Sequence, residues 1–165
     1  VILSEIDSHM SLKSLETESP ESITALIEEI IYSRLSPNQT NFKLVYDRTK
    51  SIPAVWPRPE LVLALENLLQ NAHEFSAHDV MVNIEWTAID LHITIVDDGP
   101  GFTRPTLARA GQPWNSTRAG QEGHRGLGLF IARSLLESIG GSISFVNDDL
   151  GGGKVRITLP RESIS

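Results

Sequence analysis

The apolar positions of this 165-residue chain change period several times, and each change marks an element. Ile23, Leu26, Ile27, Ile30 and Ile31 recur at i, i+3, i+4, i+7 and i+8, which predicts a helix through "ITALIEEIIYSRL" with Ser22 as its cap. "SPNQT" reads as a loop and "FKLVYD" as a strand, while "SIPAVWPRP" carries three prolines and is irregular or extended. A second helix starts at Arg58 or Pro59 and runs to residue 76, with Leu61, Leu65, Leu68, Ala72 and Phe75 as its buried stripe. "DVMVNIEWTA" and "LHITIVDD" alternate with period two and turn near Ile89 and Asp90. Residues 99–125 hold three prolines and five glycines and read as a loop. "GLGLFIARSLLESIG" reads as a helix ending near Gly140, followed by strands "GSISFVND" and "KVRITLP" joined across a glycine-rich turn. Helices interspersed with adjacent strand pairs predict an α/β fold: a two-layer sandwich with a mixed, mostly antiparallel sheet on about three helices.

The polar, Ser/Glu-rich stretch "SLKSLETESPES" makes residues 1–20 a helix end and linker, leaving 21–165 as one domain. The N-terminus "VILSEIDSHMSLK" lacks the basic and long apolar regions of a signal peptide. A net charge of −7 argues against nucleic-acid binding, although backbone amides and a metal can still hold an anion. The absence of cysteine excludes disulfides, thiolate catalysis and cysteine zinc sites. All twelve glycines follow Asp98, so the second part of the chain needs close-approach or flexible backbone that the first does not.

Four stretches carry candidate chemistry. On the second helix Asn67, Gln70, Asn71 and Glu74 form a polar stripe without lysine or arginine. Asparagine costs about 0.5 kcal/mol or more against alanine in a helix, so two of them need a reason. The stripe is either a solvated face or a row of carbonyl oxygens suited to Mg²⁺. In "VDDGPGF", Asp97 ends a strand before two glycines. The stretch is either a tight turn or a carboxylate that accepts from an exocyclic amine such as adenine N6 and repels guanine. "GLGLFIA" puts glycines at a predicted helix start, where amides and the dipole favour phosphate; it has neither Walker A spacing nor a dinucleotide fingerprint. "GGGKVRITLP" is a glycine-rich turn before a strand.

Taken in order, "NLLQNA", "DDGPG", "GLGL" and "GGGKVRITLP" resemble the N, G1, G2 and G3 boxes of the catalytic ATP-binding domain of sensor histidine kinases, in the wider group that includes gyrase B, Hsp90 and MutL. The resemblance covers roughly residues 22–160, and "GQPWNSTR" with "GLGLFIARSLLESIGGSI" is most similar to the redox-responding RegB/PrrB type. It implies that Asn71 ligates Mg²⁺ on the ATP phosphates and that Asp97 reads adenine with Gly99 and Gly101 shaping the pocket. Asn67 would sit near the phosphates, Gly126, Leu127 and Gly128 would frame their far end, and residues 103–125 would be a lid. Within the lid Thr117 would bind nucleotide and Arg118 is either a phosphate clamp or a solvated charge.

ATPases of the wider group carry a glutamate where Asn67 stands; an amide cannot act as general base, and Glu66 lies about 100° round the helix. That favours phosphoryl transfer to a protein side chain over hydrolysis. An ATPase, a serine kinase and a non-catalytic nucleotide-sensing or partner-binding module remain alternatives. The chain departs from the family at Glu74 (often lysine), at His124 (usually glycine) and at Trp56 (often acidic), while Trp114 is either a docking residue or part of the lid core. None of His9, His73, His78, His92 and His124 has the sequence context of a phosphoacceptor. The resemblance therefore implies an acceptor on a separate upstream dimerisation domain, of which residues 1–20 would be the tail, with a response regulator downstream. The domain would be cytoplasmic and the parent protein dimeric and membrane-anchored.

Overall fold

The computed structural model describes residues 19–35, 39–110 and 121–165, with backbone alone at 121–125. The expectations for residues 1–18, including His9, and for Trp114, Thr117 and Arg118 lie outside the described residues. So do the side chain of His124 and much of the lid.

The chain begins with a short strand β1 (Glu21–Ser22) and helix α1 (Ile23–Glu29), which widens into a π-helical stretch, Ile30–Leu35. Strands β2 (Asn41–Tyr46) and β3 (Ala54–Val55) follow, then helix α2 (Pro59–Phe75) and the hairpin of β4 (Asp79–Trp86) and β5 (Asp90–Asp97). A short helix α3 (Arg104–Arg109), helix α4 (Gln121–Ser138), and strands β6 (Ser142–Asn147) and β7 (Gly153–Pro160) complete the order. The main sheet runs β2-β4-β5-β7-β6, with β2 parallel to β4 and the other neighbours antiparallel. The parallel pair requires a crossover, and the segment carrying α2 supplies it. β1 and β3 form a separate antiparallel pair.

Alternation decides the layers. Val80, Val82 and Ile84 of β4, Leu91, Ile93 and Ile95 of β5, and Val155, Ile157 and Leu159 of β7 all turn to one face and join α1, α2 and α4 in a single core. The intervening residues Asn83, His92, Thr94 and Thr158 stay partly exposed on the other face, so the fold has two layers, as the pattern predicts. Local signals hold at the ends. Ser22 Oγ accepts from Ala25 N–H at 3.2 Å, and Pro59 occupies the first turn of α2. α4 closes in a Schellman motif: Gly140 (φ 84°) donates to Glu137 O at 3.0 Å and Gly141 to Leu136 O at 2.8 Å.

Three expectations change. The first helix is not α-helical throughout. An unbroken α period would carry the apolar stripe from Ile23 to Arg34 at i+11; the wider i+5 turn instead buries Leu35, five residues after Ile30, and frees Arg34 from the core. The segment read as a loop contains α3, announced by a cap at Thr103, whose Oγ1 accepts from Thr106 N–H at 3.2 Å, and by Pro105 in the first turn. Finally, α4 begins at Gln121 rather than Gly126, extended by the helix formers Gln121, Glu122 and Arg125. Among the described residues no helix is long and apolar enough to cross a membrane.

Candidate functional site

Helix α2 divides its polar stripe between solvent and protein. Glu74 is exposed and accepts from Gln70 Nε2 at 2.8 Å, a local i,i+4 pair of the solvated kind. Asn71 is only 8% exposed, beside core residues Leu68 and Ala72. Asn67 donates through Nδ2 to the Leu63 carbonyl at 2.9 Å, and its Oδ1 faces α4, where a methyl built on Gly128 would lie 3.9 Å away. Phe75, expected in the buried stripe, is instead half-buried and follows Asn67 and Asn71 at i+4 on the same flank, the three spanning about 12 Å of helix axis.

The end of β5 meets that flank at its far end. Asp97 is 5% exposed, and its Oδ1 accepts from Gly99 N–H at 2.9 Å and Gly153 N–H at 3.3 Å. The glycines are compulsory for packing. A methyl on Gly99 would collide with the Phe75 carbonyl oxygen, and one on Gly152 with the carbonyl oxygen of Asp97. A methyl on Gly153 would stand 2.8 Å from Asp97 Oδ2. Gly101 has φ 82°, where a side chain is strained, and its missing methyl leaves room for the Gly151 carbonyl. The turn after Asp97 is thus clamped between the C-terminus of α2 and the β6–β7 turn. Sequence reasoning placed Gly99 and Gly101 here but gave Gly152 and Gly153 no role.

Two further supports were missed. Asn147, at the end of β6, grips the backbone of Phe102 with both amide atoms: Phe102 N–H donates to Oδ1 at 2.6 Å and Nδ2 donates to Phe102 O at 3.0 Å. No local pattern announces it, because its partner is 45 residues away. Asp98 accepts from the backbone N–H groups of Ala77 at 2.8 Å and His78 at 3.0 Å, tying the turn to the start of β4. Desolvation pushes its carboxyl up, but the amides of His78, Asp79 and Ala77 together outweigh it and hold the group below the usual carboxylate range. Its position directly after Asp97 in "VDDGPG" was the available signal.

At the opposite end, Gly126 and Gly128 lie in the second turn of α4, not at its start as the spacing predicts. Among the described residues a methyl on Gly126 would meet only Arg109 Cβ at 3.8 Å and one on Gly128 only Asn67 Oδ1 at 3.9 Å, so none of those neighbours demands a glycine at either place. Leu127 is half-buried between them. Glu66 points elsewhere: it accepts from Arg34 Nη1 at 2.9 Å. His73 pairs with Thr40 Oγ1 at 2.7 Å and His92 with Thr158 Oγ1 at 3.1 Å, satisfied and packed. Trp56 is exposed at its ring while its N–H donates to Ile164 O at 2.7 Å. Among the described residues no three His, Cys, Asp or Glu gather as a metal cage. Asn71 has an amide oxygen of the kind that could hold Mg²⁺, a hard cation that takes few protein ligands.

Residues 57–163 match the family described as histidine kinase-, DNA gyrase B-, and HSP90-like ATPase. The chain is 42% identical over 104 residues to the sensor histidine kinase RegB of Cereibacter sphaeroides, covering 58% of this chain and 22% of that protein. It is 30% identical over 119 residues to the virulence sensor histidine kinase PhoQ of Salmonella typhimurium, covering 70% of this chain and 24% of that protein. The chain thus spans less than a quarter of the length of these curated relatives. Among solved structures, the catalytic domain of histidine kinase ThkA superposes with a TM-score of 0.69 at 20% identity, over 88% of this chain and 97% of that one. Full-length ShkA in complex with AMPPNP gives 0.66 at 21% identity, over 86% of this chain and 30% of that one.

Proposed function

The chain belongs to the histidine kinase-, DNA gyrase B- and HSP90-like ATPase family, and from that premise we propose that it is the ATP-binding catalytic domain of a sensor histidine kinase. The observation that carries the reading is the flank of α2. Asn67, Asn71 and Phe75 run from Gly128 of α4 to the clamped turn of Asp97, so a buried carboxylate stands at one end of that track and a glycine at the other. Asp97 accepts the N6 amine of adenine. Its Oδ1 is already held by two backbone amides, so the carboxylate is oriented before ligand arrives. Gly99 and Gly101 shape that pocket.

Asn71 offers its amide oxygen to Mg²⁺, and Asn67 sits beside the phosphates. Gly126, Leu127 and Gly128 lie at the phosphate end of the site, where Gly128 puts no side chain beside Asn67, with Thr117 and Arg118 contributing from the lid. Bound Mg²⁺ would neutralise phosphate charge. The γ-phosphoryl passes to an imidazole nitrogen of a separate upstream dimerisation domain: the bond from the γ-phosphorus to the β,γ-bridging oxygen breaks, a P–N bond forms, and ADP leaves. A response regulator would then take the phosphoryl group. The engagement of Glu66 with Arg34 supports transfer over hydrolysis, since the carboxylate next to Asn67 is then held away from activating water. The parent protein is read as dimeric and membrane-anchored, with this domain on the cytoplasmic side.

Calorimetric titration with ATP and GTP, with and without Mg²⁺, tests the reading. ATP should bind at least about tenfold more tightly than GTP, and Asp97→Asn should weaken ATP by about tenfold or more, the scale of a hydrogen bond to a charged group. Asn71→Ala should abolish the advantage conferred by Mg²⁺. Unchanged ATP affinity in Asp97→Asn would remove the adenine assignment. With an added acceptor domain, the labelled phosphate should be acid-labile and on histidine.

A further inference from the structure

Helix α2 is held mainly by apolar contacts. Leu61, Val62, Ala64, Leu65, Leu68, Leu69 and Ala72 are all buried, and such contacts are non-directional. Their close packing against the sheet and α4 opposes large movements, and a small rotation about the helix axis is the change that a polar tether would oppose. Such a rotation would carry Asn67 away from Gly128, because the two lie on facing helices with a close approach of 3.9 Å between Asn67 Oδ1 and the position of a Gly128 methyl. Asn67 cannot resist the rotation itself, since its Nδ2 donates to the Leu63 carbonyl of the same helix. Glu66, next to Asn67, pairs with Arg34 at 2.9 Å, while nearer the C-terminus of α2 His73 pairs with Thr40 Oγ1 at 2.7 Å; the Arg34 pair is thus the tether beside Asn67. Both side chains are half-buried, at 22% and 33% exposed, which shields the pair from full solvent screening.

The π-helical stretch is what makes this pair available. With α periodicity maintained, Arg34 would fall on the apolar stripe of Ile23, Ile27 and Ile30. The i+5 turn gives that place to Leu35 and turns Arg34 to the flank of α2. A widened turn is an uncommon geometry that tends to occur at functional sites.

We propose that Arg34 is a positioning residue of the nucleotide site: through Glu66 it fixes the rotation of α2 and so the direction of Asn67 toward Gly128. The inference rests on the nucleotide site argued above. It also makes the first helix, where the chain enters the domain, a mechanical input to that site.

The test uses the 165-residue chain with Arg34→Met, which keeps the aliphatic stem, Glu66→Gln, and the reversed pair Arg34→Glu/Glu66→Arg. In nucleotide-free protein well below its Tm, the side-chain amide resonances of Asn67 should move in Arg34→Met and return toward wild type in the reversed pair. Mg²⁺-ATP affinity should fall about two- to tenfold in each single variant, the scale of a partly buried ion pair, and recover in the reversed pair. An Asn67 resonance that stays in place in folded Arg34→Met overturns the proposal, whatever happens to Tm. So does a lost affinity that the reversed pair fails to restore. Failure of wild type to bind ATP would count against the nucleotide reading instead, and the Asn67 resonance would still decide the positional claim.

Discussion

Replacing Gly126 and Gly128 by alanine separates a structural glycine from a functional one. Both lie inside α4, past its first turn, and neither has positive φ. A methyl on Gly126 would meet Arg109 Cβ at 3.8 Å, and one on Gly128 would meet Asn67 Oδ1 at 3.9 Å, both ordinary van der Waals contacts. No clash with a described residue opposes the substitutions, while glycine inside a helix costs about 0.8–1.0 kcal/mol against alanine. The double variant should gain about 2 kcal/mol if the effects add. For a domain of this size that raises Tm by about 4–8 °C. In the same protein, ATP affinity should fall, because a methyl on Gly128 now stands beside Asn67, where the phosphates are proposed to lie. Differential scanning calorimetry and isothermal titration on one preparation read both quantities. A variant that is stabilised and binds ATP unchanged would refute the phosphate role. One that is destabilised would refute the argument that packing does not need these glycines.

Asn147→Ala removes both bonds to the Phe102 backbone, each worth about 0.5–1.5 kcal/mol net, so urea unfolding should show a loss of about 1–3 kcal/mol with weaker ATP binding. Asn41→Ala, which loses one exposed bond to Asp79, is the control and should cost little. The lowered carboxyl of Asp98 sets an acid limit. Folded protein binds that proton more weakly than unfolded chain, so its contribution is complete above the unfolded value of about 3.9 and is lost as pH falls through the lower folded value. Asp98→Asn should therefore flatten the fall of Tm below about pH 4, measured by circular dichroism. Burial and the nearby Glu29 raise Glu21, the opposite sign, so Glu21→Gln should raise Tm at neutral pH.

Much of the site was legible because its signals are local. The spacing of Leu61, Leu65 and Leu68 places Asn67 and Asn71 on one flank of one helix whatever surrounds it, and the caps at Ser22, Pro59 and Gly140 act within a turn of themselves. The short helix Arg104–Arg109 escaped because its two turns are too brief to show a period, and only Thr103 and Pro105 marked it. The π-helical stretch escaped because nothing near Arg34 says that an arginine on the apolar stripe will be avoided by widening the helix rather than ending it.

The amino-acid order by itself determined the periods, and with them the element types, the layers and the polar flank of α2, because each depends on neighbours a few residues apart. Tertiary structure alone decided that Asn71 is buried while Glu74 is not, that Arg34 reaches Glu66 across 32 residues, and that Gly153 closes on Asp97 across 56. Those outcomes depend on strand order and on which backbones approach within a methyl group of each other, and such distances are set only when the sheet has chosen its register and the helices have packed onto it.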